Sequence, residues 1–304
     1  MPTNTLEQRP DLLITGATGN VGFETIRALN TAGVMPLAAV RDPQKAQSKL
    51  EGKALLTRFD FTDPNTYTGA LTGIKQMLLV RPPEIAQVDK YFMPLLEEAR
   101  AAGVKQVVFL SLLGAESNTV VPHHKIEKVL LELGMGYVFL RASFFMQNLS
   151  TTHLEDIRDR DDVFVPAGNG KTSFIDARDI GAVASLSLLE RHQNLAYDLT
   201  GDEALTYDAA ARMLSEELGR PIRYSHPNIL KFALEERARG VSWPFIGVMV
   251  GIYSVAALGR AGRVTPTTRE LLNRPAITLE QFVHDYKALW MPLNTVNQET
   301  RHED

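Results

Sequence analysis

The chain has 304 residues, 44% of them hydrophobic and 22% charged, with a net charge of -4 at pH 7. That composition suits a folded protein with a large core, long enough for an α/β unit plus a second portion, and its sign argues against nucleic acid as the main partner. With no cysteine, disulfides, zinc–thiolate sites, iron–sulfur clusters and cysteine nucleophiles are excluded.

In chain order, the opening "MPTNTLEQRPD" is polar and lacks an apolar signal core, which reads as cytoplasmic. "DLLITG" predicts a strand, followed by a helix from Asn20 to about Thr31 closed by Gly33. "PLAAVR" (strand), "PQKAQSKL" (helix), "ALLTRFD" (strand), a short helix near Asn65 to Leu71 and "QMLLVR" (strand) come next. A longer helix is predicted from about Ile85 to Ala102, then "QVVFLS", a helix from about His123 to Leu133, and "YVFLR". The strands are continuous apolar runs rather than alternating ones, the pattern of a parallel sheet covered on both faces. The fold class is therefore α/β, a Rossmann-type doubly wound parallel sheet with its ligand at the carboxyl ends of the strands.

After Arg141 the regularity changes. Residues 142–175 read as loop-rich around the turn "PAGNGK"; "RDIGAVASLSLLE" is a helix, "AYDLTG" one more strand, and the chain from Thr206 is mostly helical. The expected division is 1–141 plus 177–201 as the Rossmann-type domain, 142–176 plus 202–292 as a smaller lobe, and 293–304 as a flexible polar tail. Residues 240–259 carry no charge and are flanked by Arg239 and Arg260, a length that nearly spans a bilayer, with Gly247 and Gly251 at GxxxG spacing. Pro244 and four glycines make a poor span, so the expectation is a buried helix and no membrane; segment 241–258 is also a candidate interface for a homo-oligomer.

The most informative stretch is "LLITGATGNVGFE", with Gly16, Gly19 and Gly22 between a strand and a helix. The first glycine permits a tight turn, the second lets backbone approach a pyrophosphate, and the third lets helix pack on strand. Thr18, Gly19, Asn20, Val21 and Gly22 would then present the helix amino terminus to phosphates. The second strand ends "AAVRDPQK". Arg41, with Lys45 one helical turn on, suits a 2′-phosphate and favours NADPH; Asp42 could instead hold ribose hydroxyls, which keeps NADH open. Asp60 and Phe61, in "RFDFTD", lie where the adenine edge would be met, although Asp60 serves equally as a cap for the next turn. Asp176 and Asp179 of "FIDARDIG" read as a loop-and-cap arrangement, with Asp179 accepting first-turn N–H groups, and Arg141 as a structural partner of a core acid. No third ligand joins His123 and His124 at metal-binding spacing.

Together "ITGATGNVG", "VRDPQKA", "FLSLLGAE", "HHKIEKVLLELGMGYVFLRASFFMQNL", "FIDARDIGAVA" and "YDLTGDEALTYDAAARMLSEELGR" resemble the NmrA-like family of atypical short-chain dehydrogenase/reductases, through most of residues 11–222. The family includes NADPH-dependent quinone oxidoreductases, triphenylmethane reductase, isoflavone-reductase-like enzymes and non-catalytic redox-sensing regulators. The resemblance implies NAD(P)H along the glycine turn, with Arg81 and Pro82, and Ser111 and Leu112, approaching the nicotinamide, and Phe144, Phe145 and Asn148 lining an aromatic substrate pocket. It also takes Glu127 as the anchor four residues beyond the usual catalytic lysine. That register puts His123 at the lysine position and Thr119 at the tyrosine position, so the Tyr-x-x-x-Lys pair is absent; Lys125 is two residues out of register, about 200° round the helix. The chemistry implied is hydride transfer to a small-molecule substrate that needs little acid help, such as a quinone, enone, ketone or iminium, with His123, titrating near neutrality, or Lys125 assisting. Two alternatives share these features: a regulator that binds NAD(P)(H) without turnover and reports to a protein partner, and a tailoring reductase of secondary metabolism.

Overall fold

In the computed structural model, residues 10–292 are described; the expected tail 293–304 and most of the polar N-terminal segment lie outside the described residues. They group into two compact units, one of residues up to Ala142 with Ala177–Leu199, the other of Ser143–Asp176 with residues from Thr200 onward.

The first unit is the sheet. Its strands are β1 (Leu12–Ile14), β2 (Leu37–Val40), β3 (Leu55–Arg58), β4 (Gln76–Leu79), β5 (Gln106–Leu112), β6 (Gly136–Ala142) and β7 (Leu195–Leu199). They are joined by helices α1 (Asn20–Thr31), α2 (Pro43–Leu50), α3 (Tyr67–Leu71), α4 (Met93–Ala101), α5 (Pro122–Glu132) and α6 (Ala177–Leu189). All pairings are parallel and the order is β7-β6-β5-β4-β1-β2-β3. The chain winds outward from β1 through β2 to β3, then crosses to β4 on the other side, so the switch point lies between β1 and β4, where this architecture binds ligands. Continuous apolar runs work because both faces are covered: Leu13, Ile14, Met77, Leu78, Val107, Val108 and Phe109 are all fully buried.

Local chemistry sets several boundaries. Asp42 accepts the Lys45 N–H at 3.2 Å and Pro43 takes the first helical position, so α2 starts directly after β2. The predicted helix from Ile85 begins later, as one π-type turn at Val88–Phe92 running into α4. Pro94, at the start of α4, has no N–H to donate back, which breaks the regular ladder there. On the other face α6 lies against α1 so closely that a Cβ at Gly181 would stand 2.7 Å from Glu24 C and 2.8 Å from Thr25 N. Asp179 does not precede this helix as expected; it is the third residue within it and fully buried, and Asp176 immediately precedes it.

The second unit has its own core around Trp290, Phe232, Phe282, Phe164 and Leu214. The region read as loop-rich contains the helices Gln147–Ser150 and Leu154–Arg160 and short strands at Phe144–Phe145, Asp162–Val163 and Phe174–Ile175. Polar side chains start three of its helices: Thr206 accepts from Ala209 N, Asn228 from Lys231 N and Thr278 from Gln281 N. The charge-free stretch forms the 15-residue helix Trp243–Ala257. Among the described residues no helix is long and apolar enough to cross a membrane. The expected buried helix is only half so: Ile246, Met249, Tyr253 and Ala256 face the core, while Phe245, Val248, Ile252 and Val255 are exposed.

Candidate functional site

The glycine turn is built as the spacing requires. Gly16 sits at φ +61°, and a Cβ there would stand 2.9 Å from Val80 Cβ, so both conformation and space demand glycine. A Cβ at Gly22 would fall 2.3 Å from the Gly16 carbonyl oxygen, which is how closely α1 seats on the turn. Gly19 differs. Its absent Cβ would meet only the Gly16 oxygen, at 3.3 Å, and otherwise faces space free of protein. Gly19 is also the N-cap of α1, with no side-chain cap and no acidic residue in the first turn. Thr18, Gly19 and Asn20 are exposed, and Val21 and Gly22 are buried beneath them. The positive end of a 12-residue helix is thus left open to an anion.

Thr15 and Lys49, which the sequence did not single out, frame this turn. Thr15 is fully buried; its Oγ1 donates to Leu78 O at 3.1 Å and accepts from Val80 N at 2.8 Å, tying the ends of β1 and β4 together at the switch point. Lys49, in the last turn of α2, donates from Nζ to Thr18 O at 2.8 Å and lies 5.0 Å from the centre of the Phe23 ring. A cation therefore stands directly on the glycine turn. Arg41, exposed at the end of β2, acts on Asp60 at the end of β3. Burial pushes the Asp60 carboxyl up, but the Thr62 amide and hydroxyl, with Arg41 and Arg58, outweigh it and hold it below the usual carboxylate range. Asp42 is occupied as the α2 cap and in an ion pair with Lys45 at 3.6 Å. Phe61 turns its side chain inward. Its ring is buried in the core, 4.9 Å from Phe59 and 5.3 Å from Phe92, and the Tyr67 hydroxyl donates to its carbonyl.

Beyond β4, Arg81 organises its own loop: Nη1 donates to Pro82 O at 2.9 Å, Pro83 O at 3.1 Å and Ile85 O at 2.8 Å, with Pro82 half-buried beside it. Its charge reaches His123. His123, near the start of α5, lies flat against Phe109 with centroids 6.0 Å apart, and its Nδ1 is buried with no hydrogen-bond partner. Burial, reinforced by Arg81, pushes this imidazole down to about 3. The expectation of titration near neutrality is thereby corrected: His123 is a neutral imidazole. Neither histidine is a solvated bystander, since His124 Nδ1 is 2.8 Å from Ala115 O. Lys125 is exposed and is not brought to His123; Thr119 is exposed as well.

Under this wall lies a buried ion pair. Glu127 on α5 accepts from Arg141 Nε at 3.1 Å and Nη2 at 2.8 Å, and Ser111 Oγ donates to Glu127 Oε1 at 2.6 Å. Arg141 also meets Glu116 at 3.3 Å. Ser111 thus spends its hydroxyl on α5, while Leu112 after it is half-buried. In the second unit Phe144 and Phe145 are half-buried in a two-residue pairing with Phe174 and Ile175, and the half-buried Asn148 gives its carbonyl to His153 N at 2.9 Å. Among the described residues no group of three metal-ligating side chains forms.

A parallel sheet of this order, with an open glycine turn at its switch point, defines a Rossmann-type dinucleotide-binding protein. The chain belongs to the NmrA-like family, whose profile matches residues 8–236. Among curated relatives it is 32% identical over 283 residues to an NAD(P)H azoreductase of Xenophilus azovorans, covering 91% of this chain and 98% of that one. It superposes with TM-score 0.81 and 27% identity on an Escherichia coli NADPH-dependent quinone oxidoreductase solved with NADPH, over 90% of this chain and 99% of that one. A Citrobacter triphenylmethane reductase solved with NADP(H) shares the fold, at TM-score 0.79 and 23% identity, over 91% and 99% of the two chains.

Proposed function

We propose that the protein is an NADPH-dependent oxidoreductase that reduces a small conjugated or aromatic acceptor, such as a quinone or an azo compound. The observation that carries this is the glycine turn with the uncapped start of α1, a cradle in which a Cβ at Gly19 would meet only the Gly16 oxygen, at 3.3 Å. The family membership and the azoreductase and quinone oxidoreductase relatives agree with it. In this reading Gly16, Thr18, Gly19, Asn20, Val21 and Gly22 hold the pyrophosphate, and Asp60 faces the adenosine. Arg41, Lys45 and Lys49 supply charge for a 2′-phosphate; Arg41 brings a planar fork and Lys49 a point charge already fixed on the turn. When bound, NADPH supplies the hydride.

The residues of this chain bind and orient. Arg81 and Pro82, Ser111 and Leu112 form the nicotinamide side. Phe144, Phe145 and Asn148 contact the acceptor. His123, neutral at physiological pH, offers hydrogen bonding and a flat face rather than a readily lost proton. Thr119 stands at the position of the usual catalytic tyrosine. Such a site suits acceptors whose reduced product takes its proton from water.

The test is binding of NADPH and NADH to the purified chain, followed by NADPH oxidation at 340 nm with a quinone and an azo dye. Tight NADPH binding with acceptor-dependent oxidation is expected. Binding without oxidation by either acceptor class would favour a redox-sensing regulator. Failure to bind either dinucleotide would overturn the reading.

A further inference from the structure

From the outer face of the helix Trp243–Ala257 we infer that the protein pairs with a second copy of itself across this helix. A surface helix ordinarily turns charged or polar residues to solvent. This one has no charged residue and one partly buried serine, Ser254, within the helix: residues 240–259 contain no Asp, Glu, Lys, Arg or His. Its core side is formed by Ile246, Met249, Tyr253 and Ala256. The opposite side presents Phe245 at 41% exposure, Val248 at 47%, Ile252 at 45%, Val255 at 42% and, just past the helix end, Leu258 at 70%. Trp243, 55% exposed, stands at the entry. Successive members recur at three or four residues, so they make one stripe.

Area argues for a protein partner. For side chains of these sizes the exposures amount to roughly 600 Å² of apolar surface, at the upper end for the largest patch of a monomer, about 300–600 Å². Used by two copies, the stripe alone would cover roughly 1,200 Å², the lower bound of a stable specific interface. Chemistry argues for self-association. A face without charge pairs best with another face without charge, and a two-fold axis supplies one automatically. Gly247 and Gly251, one helical turn apart, lie beside the stripe, about 100° round the helix from the Val248 and Ile252 row, and a Cβ built on either meets nothing within 4 Å. The helix therefore offers bare backbone along the flank of the stripe, where a second helix can approach closely. A membrane surface is the competing occupant, but helices that lie on membranes carry a strongly charged opposite face, and here the opposite side is core.

The absence of cysteine makes the test clean, because any disulfide must join introduced residues. Full-length Val248→Cys is oxidised at micromolar concentration beside Leu131→Cys, an equally exposed control on α5 (51%). Sedimentation gives the mass of the unmodified protein and of Val248→Lys. Expected are a two-chain mass for the unmodified protein, at least tenfold faster covalent dimer formation by Val248→Cys than by the control, and a one-chain mass for Val248→Lys with NADPH binding unchanged. A one-chain mass for the unmodified protein, a two-chain mass for Val248→Lys, or equal cross-linking of the two cysteine variants would overturn the proposal. Flotation of a one-chain species with anionic vesicles would assign the face to a membrane instead.

Discussion

Glu127→Gln tests whether the ion pair beneath His123 holds the centre of the sheet. Glu127 is 4% exposed and accepts three hydrogen bonds, two from Arg141 and one from Ser111. Glutamine keeps the shape but carries one acceptor oxygen, and its NH₂ points donors at a guanidinium that has only donors. Hydrogen bonds to charged groups are worth about 1.5–3 kcal/mol each, and at least one is lost outright. Arg141 keeps Glu116 at 3.3 Å, but that carboxylate is partly exposed, where a pair returns about 0–1 kcal/mol. The expected loss is about 3 kcal/mol, in line with the cost of stranding one member of a buried pair. The assay must look in the right place. Both tryptophans, Trp243 and Trp290, belong to the second unit, so their fluorescence would miss the event. Hydrogen exchange of the β5 and β6 amides reads it directly. A change below about 1 kcal/mol in their opening free energy would refute the assignment.

Gly22→Ala places a Cβ 2.3 Å from the Gly16 oxygen, so α1 must lift from the turn; NADPH affinity measured by calorimetry should fall at least ~100-fold, roughly 3 kcal/mol. Arg41→Ala and Lys49→Ala should each weaken NADPH by ~10–100-fold, the worth of a charge-assisted contact, and leave NADH within about threefold; equal losses for both cofactors would remove the phosphate role. In the second unit, burial and the neighbouring Asp156 push Glu236 from 4.5 up to about 7, outweighing Arg160 and the Arg239 Nη1 donor 2.9 Å from its Oε1. The folded state thus holds this proton more tightly than the unfolded one, and the stability it contributes is present below about pH 4.5 and lost as pH rises towards 7. Glu236→Gln should remove that component, about 1–2 kcal/mol after allowance for partial solvent screening, and be relatively more stable at pH 8 than at pH 4.5 in urea melts.

The sheet was legible because short apolar runs at regular spacing have few other solutions, and the glycine turn because each glycine answers a separate steric demand. Asp42 with Pro43 likewise announces a helix start within three residues. What escaped depends on pairings far apart in sequence. Lys49 reaches Thr18 across 31 residues, and Thr15 reaches Leu78 across 63. The orientation of Phe61 was not legible, because an aromatic residue after a strand end looks the same whether its ring turns outward or, as here, into the rings of Phe59 and Phe92. His123 was given an ordinary titration because burial against Phe109 and the approach of Arg81 come from tertiary structure. The helix Trp243–Ala257 reads as buried because its sequence has no polar side to betray which half faces outward.

The Thr15 clasp has a thermodynamic consequence. Because one buried hydroxyl bonds both Leu78 O and Val80 N, the mouth between β1 and β4 holds its width by the protein's own hydrogen bonds, independent of any ligand. A dinucleotide entering such a preformed crevice has little backbone to order, so its affinity is not discounted by loop immobilisation. Association then resembles diffusion into a rigid slot, and differences in affinity between cofactors appear mainly as differences in residence time.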